Sequence, residues 1–303
     1  RNFLKIYELV DKSYVIYGED TEEKGFMLKL LCVDTSTNLR SCLEKGNATV
    51  FFSATLLPIQ YYKALLSNNP EDYAVYVESP FNPDHRRIMV ANDVSSKYTR
   101  RNVDEYTRIF EYIRAVGESK KGNYIVFFPS YRYMEEIYEI ALEYEWDLEV
   151  ELLKQKSYML EEEREEFLIN FEQKRERSLV AFCVLGGVFS EGIDLKHDQL
   201  IGAIIVGTGI PMVCNEREIL KNFYEEREKN GFDFAYIYPG MNKVLQAAGR
   251  VIRTEQDQGV ILLLDQRFLN RQYKTLFPPD WKDVQIVNKI TIQSTVDSFW
   301  QSC

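Results

Sequence analysis

Apolar positions along the chain fall into short unbroken runs that alternate with stretches of helical spacing, so strands and helices follow one another. Residues 14–17 and 26–33 read as two strands joined by a polar turn at 19–24, and Asp34-Thr35-Ser36 offers side chains that cap a following helix. Residues 48–52 read as a short strand that ends at Ser53-Ala54-Thr55, with a helix over 59–67. The two prolines of Ser79-Pro80-Phe81-Asn82-Pro83 cannot continue a helix and mark a domain boundary or hinge. Beyond it, strands are expected at 88–91, 124–128, 148–153, 179–184, 203–206 and 260–264. Helices are expected at 103–119, from Arg132, and over 160–173. Ile109, Ile113 and Val116 share one face of the first, and Phe167, Leu168 and Phe171 one face of the last. Apolar strands separated by helices imply an α/β fold, a parallel sheet covered on both faces. Ligands of such sheets lie beyond the carboxyl ends of the strands.

The segments that follow the strands carry small residues, hydroxyls and charges. They are Pro129-Ser130-Tyr131, then Phe189-Ser190-Glu191-Gly192-Ile193-Asp194, then Gly207-Thr208-Gly209; before the last strand lies a further charged run, Gln246-Ala247-Ala248-Gly249-Arg250-Val251-Ile252-Arg253. In a helix the spacing of Gln246, Arg250 and Arg253 places all three on one face, with Gly249 open to close approach by another backbone. Two planar guanidinium forks and an amide suit an oxyanion such as a triphosphate terminus; a solvated helix with two surface arginines fits the same letters. Glu191 and Asp194 around Gly192 read equally as an ordinary helix cap, as does Ser130. Gly207-Thr208-Gly209 reads as a phosphate-binding nest or as a plain turn.

Taken in order, these segments resemble a known set. Ser53-Ala54-Thr55 is similar to helicase motif III, and Phe128-Pro129-Ser130-Tyr131 to motif IV of DinG- and XPD-type superfamily 2 helicases. The run 189–194 resembles motif V and the run 246–253 motif VI, while 79–83 and Asp265-Gln266-Arg267-Phe268 are also like that branch. The resemblance covers about residues 45–270. It implies a RecA-like motor that hydrolyses ATP with Mg2+ to travel along single-stranded DNA. Residues 1–80 would be the end of motor domain one, and 81–303 motor domain two. By resemblance Arg250 and Arg253 are arginine fingers and Gln246 senses the same phosphate, with Gly249, Glu191, Gly192 and Asp194 at the nucleotide cleft. Gly192 and Asp194 would couple that cleft to the DNA channel. Ser130, Tyr131, Ser190, Thr208 and Gly209 would face the strand, and Ser53, Ala54 and Thr55 would couple the domains.

The departures bear on activity. No GxxxxGK[ST] run occurs, and no DEAH-like box follows a strand. The hydrolytic half is therefore expected on an upstream motor domain of the same protein, with this chain inactive as an ATPase alone. Relatives often hold an iron–sulfur cluster on four cysteines in domain one; Cys32 and Cys42 are too few, and the parent's cluster stays open. The competing reading is a non-catalytic nucleic-acid-binding or protein-interaction module on a decayed helicase fold. Intact Gln246, Arg250 and Arg253 argue against decay. A motor acting on RNA is a third reading, which the residues do not exclude.

Composition adjusts this picture in three places. No run approaches 18 apolar residues, so no spanning helix and no membrane partner are expected. Five cysteines without a CxxC pair, and only His85 and His197, speak against a metal site and for thiols in a reducing cytoplasm, or at the nucleoid if the source is bacterial. The chain starts at Arg1, within sequence that reads as folded, and is expected to be part of something longer. The formal charge of −10 argues at first against a nucleic-acid partner. Its distribution reverses that: residues 135–178 hold 15 acids and 6 bases, while 241–274 hold six bases and three acids and 82–101 five bases and two acids. The acidic excess is then a solvated outer face, and the strand ends are neutral to basic.

Overall fold

A computed structural model describes residues 2–8, 10–21, 25–69, 71–146, 149–173, 176–191, 195 and 199–302. Its contacts divide the chain into two units, one of residues 1–76 and 212–239, the other of 77–211 and 240–303. The sequence predicts a second domain continuous over 81–303, whereas 212–239 cluster with the first unit.

In the first unit a short helix, α1 (Asn2–Tyr7), precedes an antiparallel hairpin of β1 (Tyr14–Thr21) and β2 (Gly25–Cys32). The strands extend into the stretch expected as turn, residues 22–24 of which lie outside the described residues. Helix α2 (Thr35–Leu43) begins where Asp34 accepts the Ser36 N–H at 3.1 Å, the capping expected from the sequence. Helix α3 (Ile59–Leu66) follows. Val33, Phe223 and Tyr224 form a small core, with Leu31, Leu65 and Phe234 packed on it. Phe223 and Tyr224 come from a helix at Asn215–Glu225 that the sequence reading missed. Residues 48–52 are not a strand. Val50 is 80% and Phe52 90% exposed, in irregular backbone, because no described segment pairs with them and a strand exists only through its ladder.

The second unit is a seven-stranded, wholly parallel sheet in the order β5-β6-β4-β7-β8-β3-β9. In chain order its elements are β3 (Arg86–Ala91), α4 (Val103–Gly117), β4 (Asn123–Phe128), α5 (Tyr131–Glu143), β5 (Val150–Lys154), α6 (Glu161–Glu172), β6 (Ser178–Val184) and α7 (Val188–Glu191). Then come β7 (Gly202–Val206), the inserted α8 (Asn215–Glu225) already placed in the first unit, α9 (Tyr238–Ala248), β8 (Gly259–Leu264), α10 (Arg271–Lys274), β9 (Gln285–Val287) and α11 (Ile292–Ser302). Every residue of β4, β7 and β8 is buried, which is why these strands read as unbroken apolar runs. Ile109, Ile113 and Val116 of α4 and Phe167 and Phe171 of α6 are buried, as their spacing predicts. The strip β9–α11 at the sheet's far edge carried no sequence signal that was read. No helix among the described residues is long and apolar enough to cross a membrane.

Candidate functional site

The strand order sets where a ligand can lie. From β4 the chain crosses to β5 on one side of the sheet, and from β7 to β8 on the other, so the crevice at this reversal opens beyond the carboxyl ends of β4 and β7. Ser130 and Tyr131 stand on one side of it, Gly207-Thr208-Gly209 on the other.

Ser130 caps α5 by accepting the Tyr133 N–H at 3.3 Å, so the dull reading of this serine holds as far as its hydrogen bond goes. Tyr131 is half-buried, and burial raises its phenol above the usual range. Thr208 is buried beside the Tyr273 hydroxyl at 3.5 Å. Gly207 and Gly209 have φ of +86° and +69°, left-handed backbone that glycine adopts without strain. A Cβ on Gly209 would meet the Gly240 carbonyl at 2.4 Å, so this turn is seated directly on the start of α9.

After β6 the backbone turns through Gly186, with φ of +77°, and the aliphatic stem of Lys243 lies where a Cβ there would be, at 2.9 Å. Ser190 is buried in α7 with its hydroxyl donated to the Gly187 carbonyl at 2.9 Å. The Ser190 carbonyl in turn accepts the Arg250 Nε–H at 3.1 Å. Glu191 closes α7 and is described by its backbone alone, while Gly192 and Asp194 lie outside the described residues.

The run 246–253 departs from the single helix expected. Helix α9 ends at Ala248; Gln246 lies on it, half-buried, but Arg250 and Arg253 follow the helix and do not share its face. The cause is local. Gly249 weakens the helix, the Arg250 N–H turns back to Ala247, and the buried Asp257 collects the Arg253 and Thr254 N–H groups at 2.6 and 2.7 Å. What remains together is Arg250 and Ser190, the turn after α9 and the turn after β6. Ser53, Ala54 and Thr55 lie in the first unit, where the Thr55 N–H donates to Ser53 Oγ at 3.2 Å.

Two polar clusters at the same sheet edge were not singled out as site residues from the sequence. Asp265 follows β8, is fully buried, and accepts the Ser96 N–H at 2.8 Å, the Arg267 Nε at 2.9 Å and an Arg267 Nη at 2.8 Å. Burial pushes its carboxyl up, but the Arg267 hydrogen bonds and charge together with the Ser96 and Arg267 amides outweigh it and hold it below the usual range. The second is Gln155, buried after β5, which bridges Tyr131 and Val184. An amide just after a mixed apolar and charged strand is its only signal in the sequence. Among the described residues no group of three or more His, Cys, Asp or Glu side chains is placed to hold a metal ion.

The profile of a family described as the helicase C-terminal domain matches residues 113–284, more than half of the chain. The general transcription and DNA repair factor IIH helicase subunit XPD/RAD3 of Saccharomyces cerevisiae is 26% identical over 272 residues, covering 84% of this chain and 34% of that protein. The XPD subunit of Schizosaccharomyces pombe is 27% identical over 319 residues, covering 97% of this chain and 40% of its own. The chain thus spans between a third and two fifths of the length of these relatives. A solved structure described as XPD_APO superposes with a TM-score of 0.67 at 19% identity, covering 94% of this chain and 56% of the other, and shares its fold.

Proposed function

Because the chain belongs to the helicase C-terminal domain family, with XPD- and DinG-type members of superfamily 2, we propose that it is the second half of an ATP-dependent DNA helicase motor translocating on single-stranded DNA. The observation that carries this reading is the Arg250 hydrogen bond to the Ser190 carbonyl at 3.1 Å, which joins the turn after α9 to the short helix that follows β6. Arg250 and Arg253 act there as arginine fingers, and Gln246 senses the same γ-phosphate. Their chemistry fits: guanidinium groups are donors only and match phosphate oxygens. The phosphate cradle and the Mg2+ carboxylates belong to the upstream motor domain, since this sequence has neither motif. Glu191, Gly192, Asp194 and Gly249 border the nucleotide. Ser130, Tyr131, Ser190, Thr208 and Gly209 contact the strand, and Ser53, Ala54 and Thr55 couple the domains. The place of work is the cytoplasm, or the nucleoid in a bacterium.

The test joins the upstream domain to this chain and measures ATP turnover with and without single-stranded DNA. Arg250→Ala is expected to lower strand-stimulated turnover about a thousandfold, the worth of such a finger. Unchanged turnover overturns the finger assignment. The chain by itself is expected to show no strand-stimulated turnover. A rejoined protein that binds DNA yet never hydrolyses ATP is instead a binding module on a helicase fold.

A further inference from the structure

Gln155 is 4% exposed and sits where β5 ends. Its backbone N–H continues the ladder to Phe182 at 2.9 Å. Its side chain reaches two neighbouring connections of the sheet edge: Oε1 accepts the Val184 N–H at 2.9 Å, and Nε2 donates to the Tyr131 hydroxyl oxygen at 2.9 Å. The backbone of Gly187 packs on this amide, a Cβ there falling 3.4 Å from Nε2.

The direction of this chain of bonds follows from donor and acceptor rules. A backbone N–H only donates, so the amide oxygen must face Val184 and the NH2 must face Tyr131. That makes the Tyr131 oxygen an acceptor on its inner side. A phenol has one proton, which Gln155 does not take up and which is therefore left for another acceptor; Tyr131 is the first residue of α5, next to Ser130, and keeps part of its surface exposed. A phosphodiester oxygen is an acceptor and never a donor, and it gains from a donor fixed in advance.

We propose that Gln155 is a positioning residue that orients the Tyr131 hydroxyl as a hydrogen-bond donor to a phosphodiester of a bound single strand. The inference rests on the nucleic-acid reading of the preceding section. Gln155 touches no ligand; it acts through Tyr131.

The experiment measures fluorescence anisotropy of a labelled oligo-dT with this chain. Tyr131→Phe is expected to weaken binding roughly tenfold, the worth of one hydrogen bond to a charged acceptor. Gln155→Glu is the discriminating variant. Its carboxylate accepts from Val184 and from Tyr131, so both structural bonds persist, but the phenol proton now points inward. It is expected to weaken binding roughly tenfold as well, and to add nothing further in a chain that already carries Tyr131→Phe. A Gln155→Glu chain that binds like the native one overturns the proposal. So does an equal loss from Gln155→Glu in the Tyr131→Phe background, which is the mark of added charge alone. Hydrogen exchange at the Val184 amide is expected to quicken in Gln155→Leu, and unchanged exchange removes the bridge itself. A native chain that binds no oligonucleotide sinks the nucleic-acid reading and this role with it. Native binding with an indifferent Gln155→Glu sinks this role alone.

Discussion

The chain contains the same three letters twice, Val50-Phe51-Phe52 and Val126-Phe127-Phe128, with opposite fates. The second run is the end of β4, without exposed surface, hydrogen-bonded to β6 on one side and β7 on the other. The first lies in irregular backbone with all three side chains exposed. Propensity is identical in the two, so what separates them is the presence of strands on either flank. A run of Val and Phe states that a segment suits a buried sheet; the neighbours decide whether there is one.

Hydrogen exchange gives this comparison its widest range. The amides of residues 126–128 open only with the second unit, and a core stable by about 5–15 kcal/mol slows them by on the order of ten-thousandfold or more. Those of residues 50–52, in no ladder, are expected to exchange near the rate of an unfolded chain. Similar protection of the two runs breaks the contrast. Truncation should follow suit: Phe127→Ala is expected to cost about 3–5 kcal/mol in denaturant unfolding, from lost burial plus the cavity left in a close-packed core.

A third measurement concerns what closes the sheet edge to which β4 runs. Asp265→Asn removes the carboxylate that pairs with Arg267 and receives Ser96, leaving a half-buried guanidinium without its counter-charge, at a cost of about 3 kcal/mol at pH 7. Asp265 is held below its ordinary value of 3.8 in the folded chain. Its contribution is therefore complete above that value and fades as pH falls through the lower folded one. The gap between native and Asp265→Asn chains is expected to be full at pH 7 and to shrink in acid below about 3.8. A gap that widens in acid contradicts the pairing.

What was legible in the sequence divides along the same line. The central strands of the second unit declare themselves because β4, β6, β7 and β8 are buried almost throughout and so are largely apolar; 124–128, 179–184, 203–206 and 260–264 all fall within observed strands. The placement of Ser130, Tyr131, Thr208 and Gly209 after those strands followed from them. Residues 48–52 misled because the pattern records fitness for a sheet and is silent about partners. Spacing alone places Arg250 and Arg253 on one helical face, because it cannot show that Asp257, four residues beyond Arg253, gathers the amides of a turn. The Gln155 bridge to Tyr131 and the Ser96 contact to Asp265 join segments distant in sequence, to which local periodicity is blind. The inserted 212–239 stretch reads as more of the same domain for that reason too.

The smallest expected effect is the sharpest control. Phe52 is 90% exposed, so its truncation gives up almost no buried area, and its backbone belongs to no ladder. Phe52→Ala is expected to change stability by no more than about 0.5 kcal/mol, the range of surface substitutions away from any special contact. The measurement should be made by denaturant unfolding at two protein concentrations well apart. A cost near zero at both leaves Phe52 as the solvated twin of the buried Phe128. A cost above about 1 kcal/mol that grows with concentration means a second copy covers the residue, since association adds stability by mass action. A cost of that size independent of concentration means that the run 50–52 finds partners within the chain, and the contrast with 126–128 then falls.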